Sequence, residues 1–254
     1  MRQKIRRILI FIALLLFPVT LNYLSPYVSI NAAFDGLIAG SVVVFALQFL
    51  SGLFLGRAWC AWLCPVAGLS ELCATVNNKP VHVKRLAVIR YTIFGVWFGI
   101  LIAAFVLAGG VRGADPLYMT ENIVSVDEPA RFIIYYFVLG LLFVLTLTIG
   151  RRGACHCICW MAPFMTAGEL VGRALRLPQL SIRSVPADCI DCGRCTGKCP
   201  MSIDVANEIK SGGVGSLACI RCGECVDCCP KHALRFELKP RLNSGARAGL
   251  DRPL

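Results

Sequence analysis

Two short cysteine-rich stretches in the last third of the chain decide its fold. Residues 189–200 read CIDCGRCTGKCP and residues 219–230 read CIRCGECVDCCP. Both stretches have the spacing C-x2-C-x2-C-x3-C-P, and a glycine after the second cysteine lets the backbone turn tightly around the sulfur atoms. Cysteines at these repeated offsets, each run closed by a proline, indicate ligands for metal rather than partners in disulfide bonds.

This spacing is typical of proteins that bind two [4Fe-4S] clusters, because three closely spaced cysteines wrap one cluster and the fourth reaches the other. Zinc also binds C-x2-C pairs, but it does not require the third and fourth cysteines at these offsets twice over. Cys228 precedes the fourth cysteine of the second run and is not assigned to either cluster. The predicted ligand sets are Cys189, Cys192, Cys195 and Cys229 for one cluster, and Cys219, Cys222, Cys225 and Cys199 for the other.

The composition of the chain excludes several classes of protein. Its 254 residues are 57% hydrophobic and only 16% charged, with a mean hydropathy of +0.68. Such a chain has too little polar surface to cover an ordinary water-soluble globule. The net charge of +11 is explained by the positive-inside bias of membrane proteins, so we predict no nucleic-acid partner.

Four apolar stretches are long enough to cross a bilayer as helices, which requires roughly 17 to 25 residues. A cleaved signal peptide is the alternative for the first stretch, because it follows a basic start. No small-x-small cleavage site follows that stretch, so the sequence predicts a retained span. The four predicted spans run from Ile8 to Leu24, from Leu37 to Leu55, from Tyr91 to Leu107 and from Phe132 to Ile149.

The basic residues give these spans a direction. Up to residue 152, Lys and Arg precede the first span, lie between the second and third, or follow the fourth, and the other two loops hold only Arg112 and Arg131. The positive-inside rule therefore predicts a multi-pass protein of a bacterial or archaeal cytoplasmic (inner) membrane, in contact with lipid and with both termini in the cytoplasm. All 15 cysteines then lie on or near the reducing side, which favours metal clusters over disulfides.

A second cysteine system occurs where the second and fourth predicted spans end. The segments GRAWCAWLCPVAGLSEL (56–72) and GRRGACHCICWMAPFMTAGEL (150–170) each contain a C-x3-C pair. The offset between the copies is 95 residues for both cysteines (155 − 60 and 159 − 64), which indicates duplication of a two-span unit. Residues at i and i+4 share one helix face, so each pair offers two thiolates to one metal. The candidate ligands are Cys60, Cys64, Cys155 and Cys159.

The sequence leaves the role of these four cysteines open. They form a third iron–sulfur or metal site at the cytoplasmic membrane face, or they are small interfacial residues, or they form a redox-active dithiol. The second copy departs from the first, because it has Trp160 in place of Pro65 and carries His156 and Cys157 as further candidate ligands. Cys73 is interpreted as a packing residue.

These residues together resemble the membrane-bound polyferredoxins of the NapH/NosR type. The resemblance rests on the double cysteine run and on the segments GRAWCAWLCPVAG and CHCICWMAP, and it covers nearly the whole chain. It implies an electron-transfer subunit of a quinol dehydrogenase or respiratory reductase complex rather than a stand-alone enzyme. Such a subunit relays single electrons between a quinone or quinol pool, or a cytoplasmic donor, and a partner reductase, cytochrome or ferredoxin.

Several cofactor motifs are absent from the sequence. No C-x2-C-H occurs, which excludes a covalent c-type haem, and neither a dinucleotide-binding glycine loop nor a P-loop is present. The histidines His82, His156 and His232 lie outside the predicted span interiors. A haem held by two histidines within the bilayer is therefore excluded.

The sequence thus predicts an integral membrane α-helical domain over residues 1–180, with four transmembrane helices in two duplicated two-helix units. A small α+β ferredoxin domain of the bacterial 2[4Fe-4S] type follows over residues 181–240, and a disordered basic tail over residues 241–254. Besides the electron relay, the alternative function is an assembly, maturation or metal-handling factor for a metalloenzyme that uses its clusters and C-x3-C thiols.

Overall fold

The computed structural model describes residues 1–120, 123–126 and 128–240, so the predicted tail at residues 241–254 lies outside the described residues. A helical part comes first in the chain and a smaller α+β part follows it. The helical part contains α1 (Arg2–Leu15), α2 (Phe17–Thr20), α3 (Pro26–Phe34), β1 (Leu37–Ala39), α4 (Gly40–Leu55), α5 (Trp59–Trp62), α6 (Pro65–Cys73), α7 (Val83–Leu107), β2 (Gly113–Asp115), α8 (Pro129–Ile149), α9 (Gly153–Cys157) and α10 (Met161–Ala174). The smaller part contains β3 (Pro178–Ser184), α11 (Arg194–Lys198), α12 (Val205–Ile209), α13 (Glu224–Asp227) and β4 (Leu234–Pro240).

Two long helices contain the third and fourth predicted spans. Among the described residues, α7 with 25 residues and α8 with 21 are the helices long and apolar enough to cross a membrane. α4 is apolar but has only 16 residues. Two of the four predicted spans therefore have the length and composition of a membrane helix.

The structure of the first two predicted spans differs from the expectation of one helix each. Helix α1 ends at Leu15, and the short helix α2 begins at Phe17. Pro18 explains the break, because proline lacks an N–H donor and its ring clashes with the carbonyl group four residues earlier. In the second stretch, Leu37–Ala39 pairs with β2 as a parallel strand, and only α4 is helical. A four-span topology is therefore not confirmed.

The smaller part is closed by a two-stranded sheet. β3 pairs with β4 in antiparallel register, from Pro178 opposite Pro240 to Ser184 opposite Leu234. The strand β3 begins before the predicted domain boundary at residue 181, and both cysteine runs lie between the two strands. Pairing of the first and last strands therefore ties together the ends of the segment that carries the eight predicted ligands.

Close helix packing fixes the two C-x3-C segments. Helix α10 packs against α4 so tightly that a Cβ on Gly168 would lie 2.2 Å from the carbonyl oxygen of Phe49. Helix α1 packs against α6, where a Cβ on Gly68 would lie 2.6 Å from the carbonyl oxygen of Ile10. A side chain larger than hydrogen would separate either pair. Each C-x3-C segment therefore leads into a helix that another element holds in place.

Candidate metal centres

The two cysteine runs of the smaller part fold in the same way. Asp191 and Arg221, between the first and second cysteines, have left-handed φ angles of 52° and 54°. Gly193 and Gly223, after the second cysteines, have φ angles of 68° and 78°. Each residue is 30 positions from its counterpart (221 − 191 and 223 − 193), and a short helix follows each glycine. The backbone therefore curves in the same way around each of two centres.

One predicted ligand set lies at the surface. Cys189, Cys192, Cys195 and Cys229 line one cavity, the outer cage. The backbone N–H of Asp191 donates a hydrogen bond to Cys189 Sγ over 3.4 Å. Cys192 is exposed. The outer cage therefore has an edge that another protein can approach.

The other predicted ligand set is buried. Cys199, Cys219, Cys222 and Cys225 line a second cavity, the inner cage, and each side chain is only 7–8% exposed. Burial raises the pKa of Cys199 to about 11 and that of Cys222 to about 12. Thiols buried in this way ionise when a metal binds them, which agrees with a cluster site. The structure thus brings together both sets that the sequence grouped, although ligation of iron by them stays a prediction.

The inner cage faces the helical part. Gln3 Nε2 donates a hydrogen bond to the carbonyl oxygen of Cys222 over 3.0 Å. Arg151 Nη1 donates to the carbonyl oxygen of Cys199 over 3.3 Å. The helical part therefore holds the backbone of both cysteine runs at the inner cage.

The four cysteines of the C-x3-C segments also lie together, at the ends of α4 and α8. Cys60 belongs to α5 and Cys155 to α9, whereas Cys64 and Cys159 precede α6 and α10. Burial raises the pKa of Cys64, of Cys155 and of Cys159, the last to about 12, and repulsion from Cys60 raises all three further. These four thiols define the third site.

Buried arginines stand beside the third site. The side chain of Arg57 is 1% exposed and that of Arg152 is 4% exposed. Arg152 Nη1 donates to the carbonyl oxygen of Cys60 over 3.0 Å. Within the described residues, Nε and Nη1 of Arg57 have no hydrogen-bond partner, and neither ring nitrogen of the buried His156 has one. Buried cationic donors without hydrogen-bond partners indicate that an anionic group belongs at the site.

The donor set of the third site, four thiols beside buried arginines, fits an iron–sulfur cluster. Four thiolates around a four-iron cluster would carry a net negative charge, which Arg57 and Arg152 would offset. In the part of the chain that the structure describes, no three His, Cys, Asp or Glu side chains come close enough to hold one ion. Thiolates on a single zinc ion lie within about 4 Å of one another, whereas a four-iron cubane holds them farther apart.

In the sequence, Arg57 and Arg152 served only as evidence for membrane sidedness and were not predicted to belong to a site. A signal was present, because Arg57 and Arg152 are separated by the same 95 residues as the cysteine pairs (152 − 57). Repetition of a charged residue at the duplication offset would have been sufficient to select both arginines.

Cys73 packs in an apolar cluster with Leu69 and Leu142, as interpreted from the sequence.

Replacing Cys229 by serine is expected to remove the cluster of the outer cage, and with it about four irons per chain. Cys229 lines that cage, whereas the neighbouring Cys228 directs its thiol towards the carbonyl oxygen of Cys225 at 3.6 Å. Cys228→Ser is therefore the matched control and should keep its full iron content. Iron and acid-labile sulfide per polypeptide measure the effect, and loss from the Cys228 variant instead would contradict the assignment.

Comparisons with known proteins define the class of protein. Residues 188–234 match the 4Fe-4S dicluster domain, and residues 37–81 match a 4Fe-4S binding domain. The first match contains both cysteine runs, and the second contains Cys60 and Cys64. The chain is a 4Fe-4S protein of the polyferredoxin type, which confirms the resemblance recognised in the sequence.

Particular relatives support this class. The chain is 28% identical over 189 residues to the electron transport protein YccM of Escherichia coli, covering 71% of this chain and 52% of the relative. It is 31% identical over 185 residues to the methylamine utilization ferredoxin-type protein MauN of Paracoccus denitrificans, covering 69% and 60%. It is 28% identical over 192 residues to the nitrogen fixation protein FixG of Rhizobium meliloti, covering 61% and 35%. The chain thus spans 35–60% of the length of these three relatives, and no solved structure matches it.

Proposed function

We propose that the protein relays single electrons between a quinone or quinol in the membrane, or a cytoplasmic donor, and a partner redox protein. The observation that carries this proposal is the order of the three four-cysteine sites. The outer cage has an exposed edge, the inner cage is buried against the helical part, and the third site lies at the ends of α4 and α8. When bound, each [4Fe-4S] cluster supplies reversible one-electron exchange.

The residues of this chain have distinct tasks in such a relay. The eight cysteines of the outer and inner cages hold two clusters, and the four cysteines of the third site hold a third. Burial of the inner cage excludes water, and Arg57 and Arg152 offset negative charge at the third site. The exposed Cys192 marks the edge at which a partner protein approaches.

A membrane location is supported by large exposed apolar side chains on four helices. Val106 of α7 is 71% exposed, Phe137 of α8 is 70% exposed, Leu47 of α4 is 53% exposed and Leu15 of α1 is 79% exposed. Apolar surface on this scale requires cover by lipid or by another protein. We infer that α7 and α8 cross the bilayer, and that α4 with β1 and α1 with α2 complete four spans.

The contacts of the chain's start support cytoplasmic termini. Gln3 bonds to the inner cage, so the start of α1 lies on the same side as the cysteine runs. A cytoplasmic position keeps these thiols reduced and agrees with the positive-inside rule. Both chain termini and all three cysteine sites would then lie on or near the cytoplasmic side of the membrane.

An apolar cavity beside the third site supports quinone as the membrane partner. It is lined by Phe17, Leu142, Cys159 and Trp160, among other residues. Cavities lined mainly by apolar and aromatic side chains are typical of small-molecule sites.

Reoxidation by quinone tests the relay. Protein reduced anaerobically, freed of reductant and placed in liposomes should lose its reduced-cluster EPR signals when menaquinone is added to the lipid. A water-soluble oxidising dye is the control, since it reaches the exposed outer cage without the membrane. Clusters that the dye reoxidises but menaquinone leaves reduced would remove quinone from the proposal.

A further inference from the structure

A row of buried charges joins the inner cage to the third site. The side chain of Arg6 is fully buried, and its Nη1 donates to Glu71 Oε1 over 2.9 Å. The same Glu71 oxygen lies 3.6 Å from Arg152 Nη2. One carboxylate oxygen is therefore shared by two buried arginines, one from α1 and the other from the residue before α9.

Each arginine is linked by hydrogen bonds to the backbone of a different cysteine site. Arg6 Nε donates to the side-chain oxygen of Gln3 over 2.7 Å, and Gln3 in turn donates to the carbonyl oxygen of Cys222 in the inner cage. Arg152 donates to the carbonyl oxygen of Cys60 in the third site. The row thus runs without interruption from the backbone of the inner cage to the backbone of the third site.

Glu71 supplies the negative charge in the middle of this row. Burial opposes its ionisation, but Arg152 and Arg6 hold the pKa of the Glu71 carboxyl group below its usual range. The group is therefore ionised at neutral pH. A second acid, Glu224, accepts from Arg6 Nη2 over 3.0 Å at the inner cage and has no ion pair with Arg152 among the described contacts.

We propose that Glu71 is a positioning residue that sets the reduction potentials of both the inner cluster and the third cluster. This inference rests on the third cluster of the proposed function. Removing the charge of Glu71 takes this ion pair from Arg152 and leaves Arg6 with Glu224 alone, and the excess positive charge near each site favours an added electron. Glu71 thereby makes both potentials more negative than the arginines alone would.

The test is an EPR-monitored redox titration of the complete, detergent-solubilised protein. Glu71→Gln should shift the potentials of the inner and third clusters in the positive direction, while the outer cluster stays within error of the wild type. Glu224→Gln is the matched control and should shift the potential of the inner cluster alone. Glu71→Asp keeps the charge and should return both potentials towards the wild-type values.

The outcomes separate this inference from the function on which it rests. Wild-type protein with only about eight irons per chain would overturn the third cluster and, with it, the coupling by Glu71. Wild-type protein with about twelve irons, in which Glu71→Gln moves one potential or neither, would overturn the coupling alone. If Glu71→Gln does not fold, Glu71→Asn removes the same charge and replaces it in the titration. Positive shifts of both the inner and the third cluster then support the coupling, and a shift of one or neither overturns it.

Discussion

Cys60→Ser protein, purified without oxygen, is expected to contain about eight irons per chain instead of about twelve. Cys60 is 8% exposed and lies with the three other thiols of the third site. A serine hydroxyl is a weaker iron ligand than a thiolate, and a cluster held by three cysteines in a buried site is readily lost. Iron and acid-labile sulfide per polypeptide, with the EPR spectrum of the reduced protein, measure the change.

The chain offers a matched control for this substitution. Cys73 ends α6, the helix that begins directly after Cys64, and it is 1% exposed, but it packs against Leu69, Leu142 and Ala154. Cys73→Ser should therefore keep all twelve irons, even if it costs some stability. Full iron in Cys60→Ser would show that the C-x3-C cysteines do not hold a cluster.

Loss of the third cluster should also weaken the fold. Arg57 and Arg152 would then be buried cations without an anion, apart from the contact of Arg152 with Glu71. Removing one partner of a buried charged group typically costs about 3–5 kcal/mol. Cys60→Ser is therefore expected to unfold at a lower temperature than Cys73→Ser.

Sequence alone was sufficient for the features that depend on local spacing. The four-cysteine sets of the outer and inner cages are grouped as predicted because ligand chemistry fixes the offsets within each run. The long apolar helices α7 and α8 follow from composition in the same way. Hydropathy did not reveal the break at Leu16 or the strand Leu37–Ala39, because a hydropathy average ignores backbone geometry and strand pairing.

The buried charges could not be predicted from local pattern. Glu71 bonds to Arg6, which is 65 residues earlier in the chain, and lies beside Arg152, which is 81 residues later (152 − 71). In the sequence, Arg6 belongs to a basic start that indicated either a signal peptide or membrane sidedness. Its burial depends on how α1 packs against α6, and that packing is a property of the fold rather than of any single segment.

Glu169→Gln is expected to cause a large loss of stability. Glu169 is fully buried, Arg221 is 2% exposed, and Arg221 Nη2 lies 2.5 Å from Glu169 Oε1. Removing the carboxylate leaves a buried guanidinium with too little compensating charge, which costs about 3–5 kcal/mol. The same guanidinium donates to the carbonyl oxygen of Cys219 over 2.7 Å, so the inner cage should loosen as well.

Thermal unfolding and iron retention of the detergent-solubilised protein measure both parts of this prediction. The variant should melt earlier than the wild type and release iron from the inner cage sooner during incubation with a chelator. Glu237→Gln is the control, because Glu237 pairs with Lys239 and Arg183 at the protein surface, and surface ion pairs contribute little. Equal melting temperatures for the two variants would mean that the Glu169–Arg221 pair does not hold the inner cage against α10.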